Sequence, residues 1–274
     1  MNDKNRNLML RLASAIILLP LVLWLAAMGG WYCAVLLAVA AGICASEYYV
    51  IVSKGLRPEH MAGVAAAFAM PLYALWQPER FGTLAFWTLV LLYLFGAIFN
   101  LLRGPIASAP DRSAHLVTGA LYAGAGLSAL DAVRNLPHGV IWIVAAMVIT
   151  WLNDTFAYFA GRFLGKHKLY PEVSPNKTWE GFFGGFVGSV GGLFIARAGF
   201  FPDLSPLDCV LLGLGGGVLG PLGDLSESML KRTYGVKDSG KIIPGHGGLL
   251  DRVDALLFNG PLVFLYVTFL RGHL

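Results

Sequence analysis

The sequence predicts an all-α, polytopic integral membrane protein with about nine transmembrane helices. Hydrophobic residues make up 57% of the chain and charged residues only 13%, whereas charged residues make up about 25% of an average soluble protein. Apolar runs of roughly 17–25 residues, the length that a membrane-spanning helix needs, recur along the whole chain. The predicted spans lie at approximately 10–28, 31–52, 60–76, 82–102, 114–131, 138–160, 181–199, 207–222 and 255–271.

Individual spans have distinguishing features. A basic stretch precedes the first span, as in a secretory signal. Its apolar part is longer than the usual 7–15 residues or so, no small-x-small cleavage site is convincing, and another span follows at once. We therefore expect an uncleaved first helix. The third span is short and contains Pro71, and the fifth and eighth are rich in glycine and alanine, a composition that suits close helix packing.

The distribution of basic residues predicts the orientation of the chain. If the N-terminus is cytoplasmic and the chain crosses nine times, 16 of the 20 lysines and arginines lie in cytoplasmic segments. This asymmetry follows the positive-inside rule. It places the polar loops 161–180 and 223–254, and hence the predicted active site, on the cytoplasmic side. The expected location is a bacterial inner membrane.

The chain is predicted to form a single membrane domain, with a helical scaffold at 1–137 and the chemistry carried by 138–274. Its three cysteines, Cys33, Cys44 and Cys209, stand singly in apolar surroundings, so they are expected to be buried thiols and not metal ligands or disulfides. The net charge of +4 suits contact with anionic lipids. Because no basic–aromatic alternation accompanies it, nucleic-acid binding is not expected.

The most polar segment, 228–254, reads S-M-L-K-R-T-Y-G-V-K-D-S-G-K-I-I-P-G-H-G-G-L-L-D-R-V-D. Charges at this density beside a membrane are usually functional. If helical, Asp251 and Asp254 share one face and can converge on one cation. The Gly-His-Gly-Gly turn offers backbone N–H groups to an anion. The cations that suit phosphate groups are Lys231, Arg232, Lys237 and Lys241.

Just before this segment, a predicted helical face carries further polar side chains. Pro221-Leu222-Gly223 is expected to break the eighth span, and Gly235 to stop the helix that follows. The shared face consists of Asp224, Glu227, Ser228 and Lys231. Carboxylates for a divalent metal beside cations for phosphates are typical of phosphoryl or nucleotidyl transfer. The alternative is a purely structural set, in which these carboxylates pair with Lys231, Arg232 and Arg252.

Two other positions are candidates for function. Asp154 closes the sixth span, where an ionisable residue near hydrocarbon indicates function. Ser174 followed by Pro175 predicts the N-cap and first residue of the seventh helix. Lys177 and Thr178 would then lie in the first turn, where free N–H groups favour an anion. The alternative for this stretch is an ordinary cap. Glu47 and Asp131 are expected to be hydrogen-bonding residues within or beside spans.

Segment 228–254 resembles, position by position, the signature of the phosphatidate cytidylyltransferases: S-x-hydrophobic-K-R-x4-K-D-x-small-x2-hydrophobic-P-x-H-G-G-hydrophobic-x-D-R-hydrophobic-D. Residues 174–181 match a second motif of that family, S-P-x-K-T-x-E-G. The resemblance implies a membrane enzyme that converts CTP and phosphatidate into CDP-diacylglycerol and pyrophosphate. It also implies Mg²⁺ as cofactor, with room for a second cation, and a homodimer.

The resemblance also implies roles for individual residues. The metal ligands are expected to be Asp224, Asp251 and Asp254. The catalytic set comprises Asp224, Lys231, Arg232, Lys237, Asp238, His246, Asp251, Arg252 and Asp254. The nucleotide-binding set comprises Asp154, Ser174, Lys177, Thr178, Glu180, Gly247 and Gly248. A phosphate monoester is already anionic, so we expect His246 to contact phosphate or orient the loop and not to act as a base.

The sequence leaves two other functions open. A CTP-dependent polyprenol or phytol kinase would use similar groups to move a γ-phosphoryl group, although the long signature argues against it. A transporter would be expected to place its polar groups near the middle of the membrane, in paired halves. Here the polar groups gather in loops on one predicted face, and no repeat is evident.

Overall fold

A computed structural model describes the backbone of residues 3–103 and 105–271, and the side chains from residue 16 onward except that of residue 79. The side chains of Lys4, Arg6 and Arg11, which contribute to the predicted orientation, lie outside the described residues. The helices are α1 (Asp3–Met28), α2 (Gly30–Ser53), α3 (His60–Trp76), α4 (Phe81–Arg103), α5 (Ala109–Ala120), α6 (Gly126–Arg134), α7 (Gly139–Leu164), α8 (Trp179–Gly199), α9 (Pro206–Thr233), α10 (Leu250–Val253) and α11 (Leu256–Leu265).

Each predicted span coincides with a helix or with joined helical pieces, which confirms the all-α, polytopic membrane class. A π-helical turn at Leu121–Ala125 joins α5 to α6, and a second one at Tyr266–Leu270 extends α11. Among the described residues, six helical segments are long and apolar enough to cross a membrane, and Ile16–Met28, His60–Trp76 and Leu256–Leu270 are shorter apolar helices. The number of crossings therefore stays a prediction.

The chain divides into two compact units. The first comprises the residues up to Asn135 together with Tyr234–Arg252, and the second comprises Leu136–Thr233 and the residues from Val253 onward. Most of the polar segment thus belongs to the first unit, while Asp254 belongs to the second. The single-domain assignment stays a prediction.

Close helix packing organises the first unit. Tyr49 of α2 is fully buried, and its hydroxyl donates to the carbonyl of Leu116, 2.6 Å away. Gly63 of α3 and Gly119 of α5 lie against the same ring, where a Cβ would collide with it. Glycine therefore lets three helices meet around one tyrosine, which explains the small residues of the predicted fifth span.

The second unit is built from α7, α8, α9 and α11. Gly184 and Gly188 of α8 pack directly against α7, because a Cβ at either would meet Ala160 or the carbonyl of Leu152. Gly216 of α9 lies in the same way against Ile149. Small residues on α8 and α9 thus bring the helices that carry the polar side chains close to α7.

A two-stranded antiparallel hairpin precedes α8. Strand β1 (Lys168–Tyr170) pairs with β2 (Ser174–Thr178), with Lys168 opposite Thr178 and Tyr170 opposite Ser174. Pairing with β1 keeps this stretch extended, so the prediction that Ser174 caps the helix is wrong. The N-cap is Thr178, whose hydroxyl accepts the N–H of Gly181 at 3.1 Å. Lys177 therefore precedes the first turn of α8.

The predicted break at Pro221-Leu222-Gly223 is also wrong, because α9 runs without interruption from Pro206 to Thr233. A proline removes one helical N–H, a loss that packed membrane helices tolerate. Gly223 serves close approach instead: a Cβ there would lie 2.6 Å from the carbonyl oxygen of Asp254. Gly235 has a positive φ of 71° just beyond the end of α9, where a helix stop was predicted.

Candidate active site

A cavity of about 570 Å³ lies within the second unit. Its walls come from the C-terminal half of α7, the hairpin, the first turn of α8 and one turn of α9. Charged groups on these walls are Asp154 and Arg162 of α7, Lys168 and Lys177 of the hairpin, and Asp224 of α9. A cavity that contains both cations and carboxylates can accept a phosphorylated ligand together with a metal ion.

The closest charged contact of this cavity joins Lys177 to Asp224. The Nζ of Lys177 lies 2.7 Å from the Oδ2 of Asp224, and both side chains are partly exposed. The Oδ1 of Asp224 accepts the hydroxyl of Ser228, one turn further along α9, at 3.2 Å. The contact joins the second motif to the polar face of α9, which the sequence had treated as separate clusters.

Three carboxylates of the second unit influence one another. Burial, followed by the negative charges of Asp224 and Asp154, raises the pKa of Asp254 to about 7, while the N–H of Ala255 and the charge of Lys231 act in the opposite direction. The Oδ1 of Asp254 accepts the Ala255 N–H at 2.8 Å. This accumulated negative charge would be offset by a bound cation.

The described residues contain no group of three or more histidine, cysteine, aspartate or glutamate side chains that could hold a metal ion together. Of the predicted ligands, Asp224 and Asp254 fall in the second unit and Asp251 in the first. Asp251 is helical, whereas Asp254 follows α10 in a turn. The metal-ligand assignment stays a prediction.

Two predicted phosphate-binding cations have partners within the second unit. Lys231 is 8% exposed, and its Nζ lies 2.6 Å from the Oε2 of the buried Glu227, one turn earlier. The Nε of Arg232 donates to the carbonyl of Val173, which precedes β2, at 3.3 Å. Lys231 thus helps to neutralise a buried carboxylate, and Arg232 contacts the hairpin.

The other residues of the second motif stabilise the hairpin. The Oε1 of Glu180 lies 2.7 Å from the Nδ1 of His167 and also accepts the His167 backbone N–H at 3.2 Å. The Nζ of Lys168 donates to the carbonyl of Pro175 at 2.7 Å. Both contacts therefore link the first strand of the hairpin and its start to the second strand and the residues that follow it. Of the predicted nucleotide-binding side chains here, Lys177 and Thr178 line the cavity.

Most charged side chains of the polar segment in the first unit are exposed. Lys237, Asp238, Lys241 and Arg252 are exposed. Ser239, in the middle of the segment, is only 4% exposed. The exposed side chains therefore extend from a loop whose central residue, Ser239, is buried and hydrogen-bonded.

The Gly-His-Gly-Gly turn is closed by its own backbone. The N–H of Ile243 donates to the carbonyl of Gly247 at 3.0 Å, and the N–H of His246 donates to the carbonyl of Ile243 at 3.0 Å. Gly247 has a φ of 86°, which glycine adopts without strain. The N–H of Gly248 donates to the Oδ2 of Asp251 at 2.9 Å, so in this conformation it binds a carboxylate of the protein itself. The role of His246 stays a prediction.

Glu47 of α2 is the residue that sequence reasoning underestimated. It is a hydrogen-bonding residue, as predicted, but its partners all belong to the polar segment: Ser239, Leu249 and Leu250. The signal in the sequence was a carboxylate inside an apolar span.

The three cysteines are buried, which confirms the prediction of buried thiols. Asp131 is buried as well.

These observations define the class of the protein: a polytopic, all-α membrane protein with a polar cavity in its second unit and a structured polar loop in its first. The chain belongs to the cytidylyltransferase family, whose model matches residues 9–270.

The curated bacterial relatives that this chain resembles carry the name phosphatidate cytidylyltransferase. The chain is 45% identical over 164 residues to a phosphatidate cytidylyltransferase of Bacillus subtilis, a match that covers 58% of this chain and 59% of the relative. It is 49% identical over 145 residues to a phosphatidate cytidylyltransferase of Staphylococcus epidermidis and 47% identical over 145 residues to one of Staphylococcus aureus; each match covers 52% of this chain and 54% of the relative. The chain thus spans a little over half the length of these relatives.

Proposed function

We propose that this protein transfers the cytidylyl group of CTP to phosphatidate, forming CDP-diacylglycerol and releasing pyrophosphate. A phosphate oxygen of the lipid attacks the α-phosphorus of CTP, and the bond between that phosphorus and the pyrophosphate oxygen breaks. The observation that carries the proposal is the contact between Lys177 and Asp224 on the wall of the cavity. This contact supports the proposal, because the cation proposed to bind phosphate lies beside a carboxylate proposed to bind the metal. The names of the bacterial relatives support it.

In this proposal, Lys177 binds the triphosphate of CTP. Its ammonium lies in the cavity and can move from a carboxylate to a phosphate with little change in position. Arg162 and Lys168, on the same walls, add positive charge that attracts the nucleotide. Catalysis then consists mainly of positioning the two phosphates and stabilising the charge of the departing pyrophosphate.

Mg²⁺ fits the carboxylates of the second unit. Asp224 and Asp254 would supply the oxygen ligands that Mg²⁺ prefers. Burial, followed by the neighbouring negative charges, raises the pKa of Asp254, and a bound cation would offset both effects. Asp154, one of these neighbouring charges, lies on the wall of the cavity. When bound, Mg²⁺ would neutralise phosphate charge. Asp251 is the third predicted ligand, and a second cation remains part of the proposal.

The proposal includes the membrane setting. Phosphatidate stays in the bilayer, while CTP and Mg²⁺ arrive from the cytoplasm, so we place the protein in the bacterial inner membrane with a cytoplasmic N-terminus. The basic-residue asymmetry supports this orientation. We also propose a homodimer, which the mass of the detergent-solubilised protein tests directly.

The proposed reaction is tested by supplying the purified protein in detergent with CTP, phosphatidate and Mg²⁺. Pyrophosphate and a CDP-lipid are the expected products. Release of CDP together with a phosphorylated lipid alcohol, when a polyprenol or phytol replaces phosphatidate, would instead show a kinase. Absence of both products under conditions where the protein is folded would reject the proposal.

A further inference from the structure

Glu47 of α2 accepts three hydrogen bonds from residues of the polar segment that lie far from it in the sequence. Its Oε2 accepts the hydroxyl of Ser239 at 3.2 Å and the N–H of Leu250 at 2.8 Å, and its Oε1 accepts the N–H of Leu249 at 3.1 Å. Glu47 is 7% exposed, Ser239 is 4% exposed and Leu250 is fully buried. A single buried carboxylate therefore joins the middle of the segment to its final helix, α10.

The polar segment is shaped around this carboxylate. Ser239 is also joined to Asp251: its N–H donates to the Asp251 Oδ2 at 2.9 Å, and its Oγ accepts the Asp251 N–H at 3.3 Å. A Cβ at Gly240 would collide with the Oε1 of Glu47, and one at Gly248 would lie 2.7 Å from its Oε2. The two glycines leave room for the Glu47 carboxylate, so the loop packs directly around this side chain of α2.

We infer that Glu47 is a positioning residue for the proposed cytidylyl transfer, holding the loop from Ser239 to Asp251 in the conformation that presents its charged side chains. The inference rests on the proposed function, because the loop carries the exposed charges assigned to that reaction. Lys237 and Asp238 directly precede Ser239, and Lys241 follows it by two residues. Fixing Ser239 therefore fixes the backbone from which these side chains extend.

The chemistry of the contact requires a carboxylate at position 47. Both of its oxygens accept hydrogen bonds, and all three partners are donors. Glutamine has almost the same shape, but it must direct an NH₂ group, which is a donor, toward at least one of these donors. An unsatisfied buried donor is costly, so Glu47→Gln should release the loop with little change in side-chain volume.

The first measurement does not depend on the reaction. Hydrogen–deuterium exchange of the segment spanning residues 239–251 should be at least tenfold faster in Glu47→Gln than in the natural protein. The matched control is Asp131→Asn, because Asp131 is also a buried carboxylate of the first unit, and its side chain bonds to Asn135 outside the segment. Exchange in this control should stay within about twofold of the natural protein.

The second measurement is the rate against CTP at saturating phosphatidate and Mg²⁺. Glu47→Gln should lower kcat/KM for CTP at least tenfold, while Asp131→Asn stays within about threefold at a similar melting temperature. If Glu47→Gln cannot be purified folded, Ser239→Ala serves in its place. It removes one donor to Glu47 and also the acceptor of the Asp251 N–H, so it tests the Ser239 contacts as a whole, and it should speed exchange and lower kcat/KM at least threefold.

The outcomes separate this inference from the proposed function. Unchanged exchange in the variant used, faster exchange with normal kcat/KM, or an equal loss of kcat/KM in Asp131→Asn would each overturn it. If the natural protein shows no reaction with CTP and phosphatidate, the proposed function fails. The exchange measurement then still decides whether Glu47 holds the loop.

Discussion

At the scale of single residues, the Lys177 ammonium can readily leave the Asp224 carboxylate for a phosphate group. The two side chains are 25% and 37% exposed, and an ion pair in such a setting contributes about 0–1 kcal/mol. Moving the ammonium from the carboxylate to a phosphate therefore costs little. Because hydrogen bonds to charged groups contribute about 1.5–3 kcal/mol, we expect Lys177 to contribute more to nucleotide binding than to stability.

The first prediction concerns Lys177→Ala. It should weaken the use of CTP roughly tenfold or more, since 1.4 kcal/mol corresponds to a factor of ten. The dependence on phosphatidate should change less, because the lipid is expected to enter from the bilayer. Initial rates measured against each substrate in turn, at saturation of the other, provide the check.

A matched control for this variant is Lys166→Ala. Lys166 is exposed, whereas Lys177 is partly exposed, and it lies just before the hairpin but is not among the residues lining the cavity. It should leave the response to CTP within about twofold of the natural protein. Equal effects of the two substitutions would mean that Lys177 acts only through the general charge of the surface.

The second prediction concerns the carboxylates of the proposed magnesium site. Asp224→Asn and Asp254→Asn should each lower turnover about 10²–10³-fold, by analogy with other groups that stabilise charge in a transition state. Raising the Mg²⁺ concentration should restore part of the loss, because a weakened site fills at higher metal concentration. The measurement is a Mg²⁺ titration of the rate, with Glu172→Gln as a control at an exposed carboxylate. Normal turnover of Asp224→Asn at ordinary Mg²⁺ would reject its role as a ligand.

Asp251 is less informative in such an experiment. Its Oδ2 accepts the N–H groups of Ser239 and Gly248, so replacing it also opens the loop. A loss of activity in Asp251→Ala would therefore not distinguish a lost metal ligand from a lost loop contact.

At the scale of elements, the hairpin determines where α8 begins. The strand pairing of Ser174–Thr178 holds the chain extended, and the helix starts only when Thr178 can accept the N–H of Gly181. Ser174 and Thr178 both carry a hydroxyl that can cap a helix. The choice between them depends on β1, which a local reading of the motif does not include.

The third prediction separates the two possible caps. Thr178→Val removes the capping hydroxyl at nearly constant volume and should destabilise the protein by about 0.5–2 kcal/mol. Ser174→Ala should change stability by no more than about 0.5 kcal/mol, as is usual away from such features. Denaturation of both variants in the same detergent checks this, with Thr178→Ser as the control that keeps the hydroxyl. A larger loss in Ser174→Ala than in Thr178→Val would contradict the observed cap.

At the scale of the whole molecule, the orientation in the membrane rests on the asymmetry of basic residues. The structure guides the choice of positions for testing it. Ser239, although central in the polar segment, is buried and would react poorly as a cysteine. Ile242 is 54% exposed, and Glu172 in the loop of the hairpin is exposed as well. The three natural cysteines are buried, so the background should be low.

The fourth prediction is that cysteines introduced at Glu172 and at Ile242 react with a membrane-impermeant thiol reagent only after the membrane is opened. Asp203→Cys, in the exposed connection between α8 and α9, should react in intact cells, because it is predicted to lie on the opposite side. Labelling is read as a mass shift on a gel. Reaction of Glu172→Cys or Ile242→Cys in intact cells would reverse the predicted orientation.

The helices and the chemical class of the site could be predicted from the sequence. Apolar length determines where membrane helices form, because every backbone polar group in lipid must be paired within the segment. The stop at Gly235 is similarly local, since glycine adopts the φ of 71° found there. The two motifs singled out Lys177 and the polar segment, and the helical spacing before that segment singled out Asp224; the family resemblance supplied their expected roles.

Tertiary contacts decided the rest, because the partners are remote in the chain or the local signal is ambiguous. Glu47 lies about 200 residues before Leu249 and Leu250, and no local pattern announces that contact. Pro221 remains inside α9, and packed membrane helices tolerate the loss of one backbone hydrogen bond. These hydrogen bonds form between groups that come together only in the folded chain. The sequence therefore indicates which residues are functional candidates, but it does not indicate their partners.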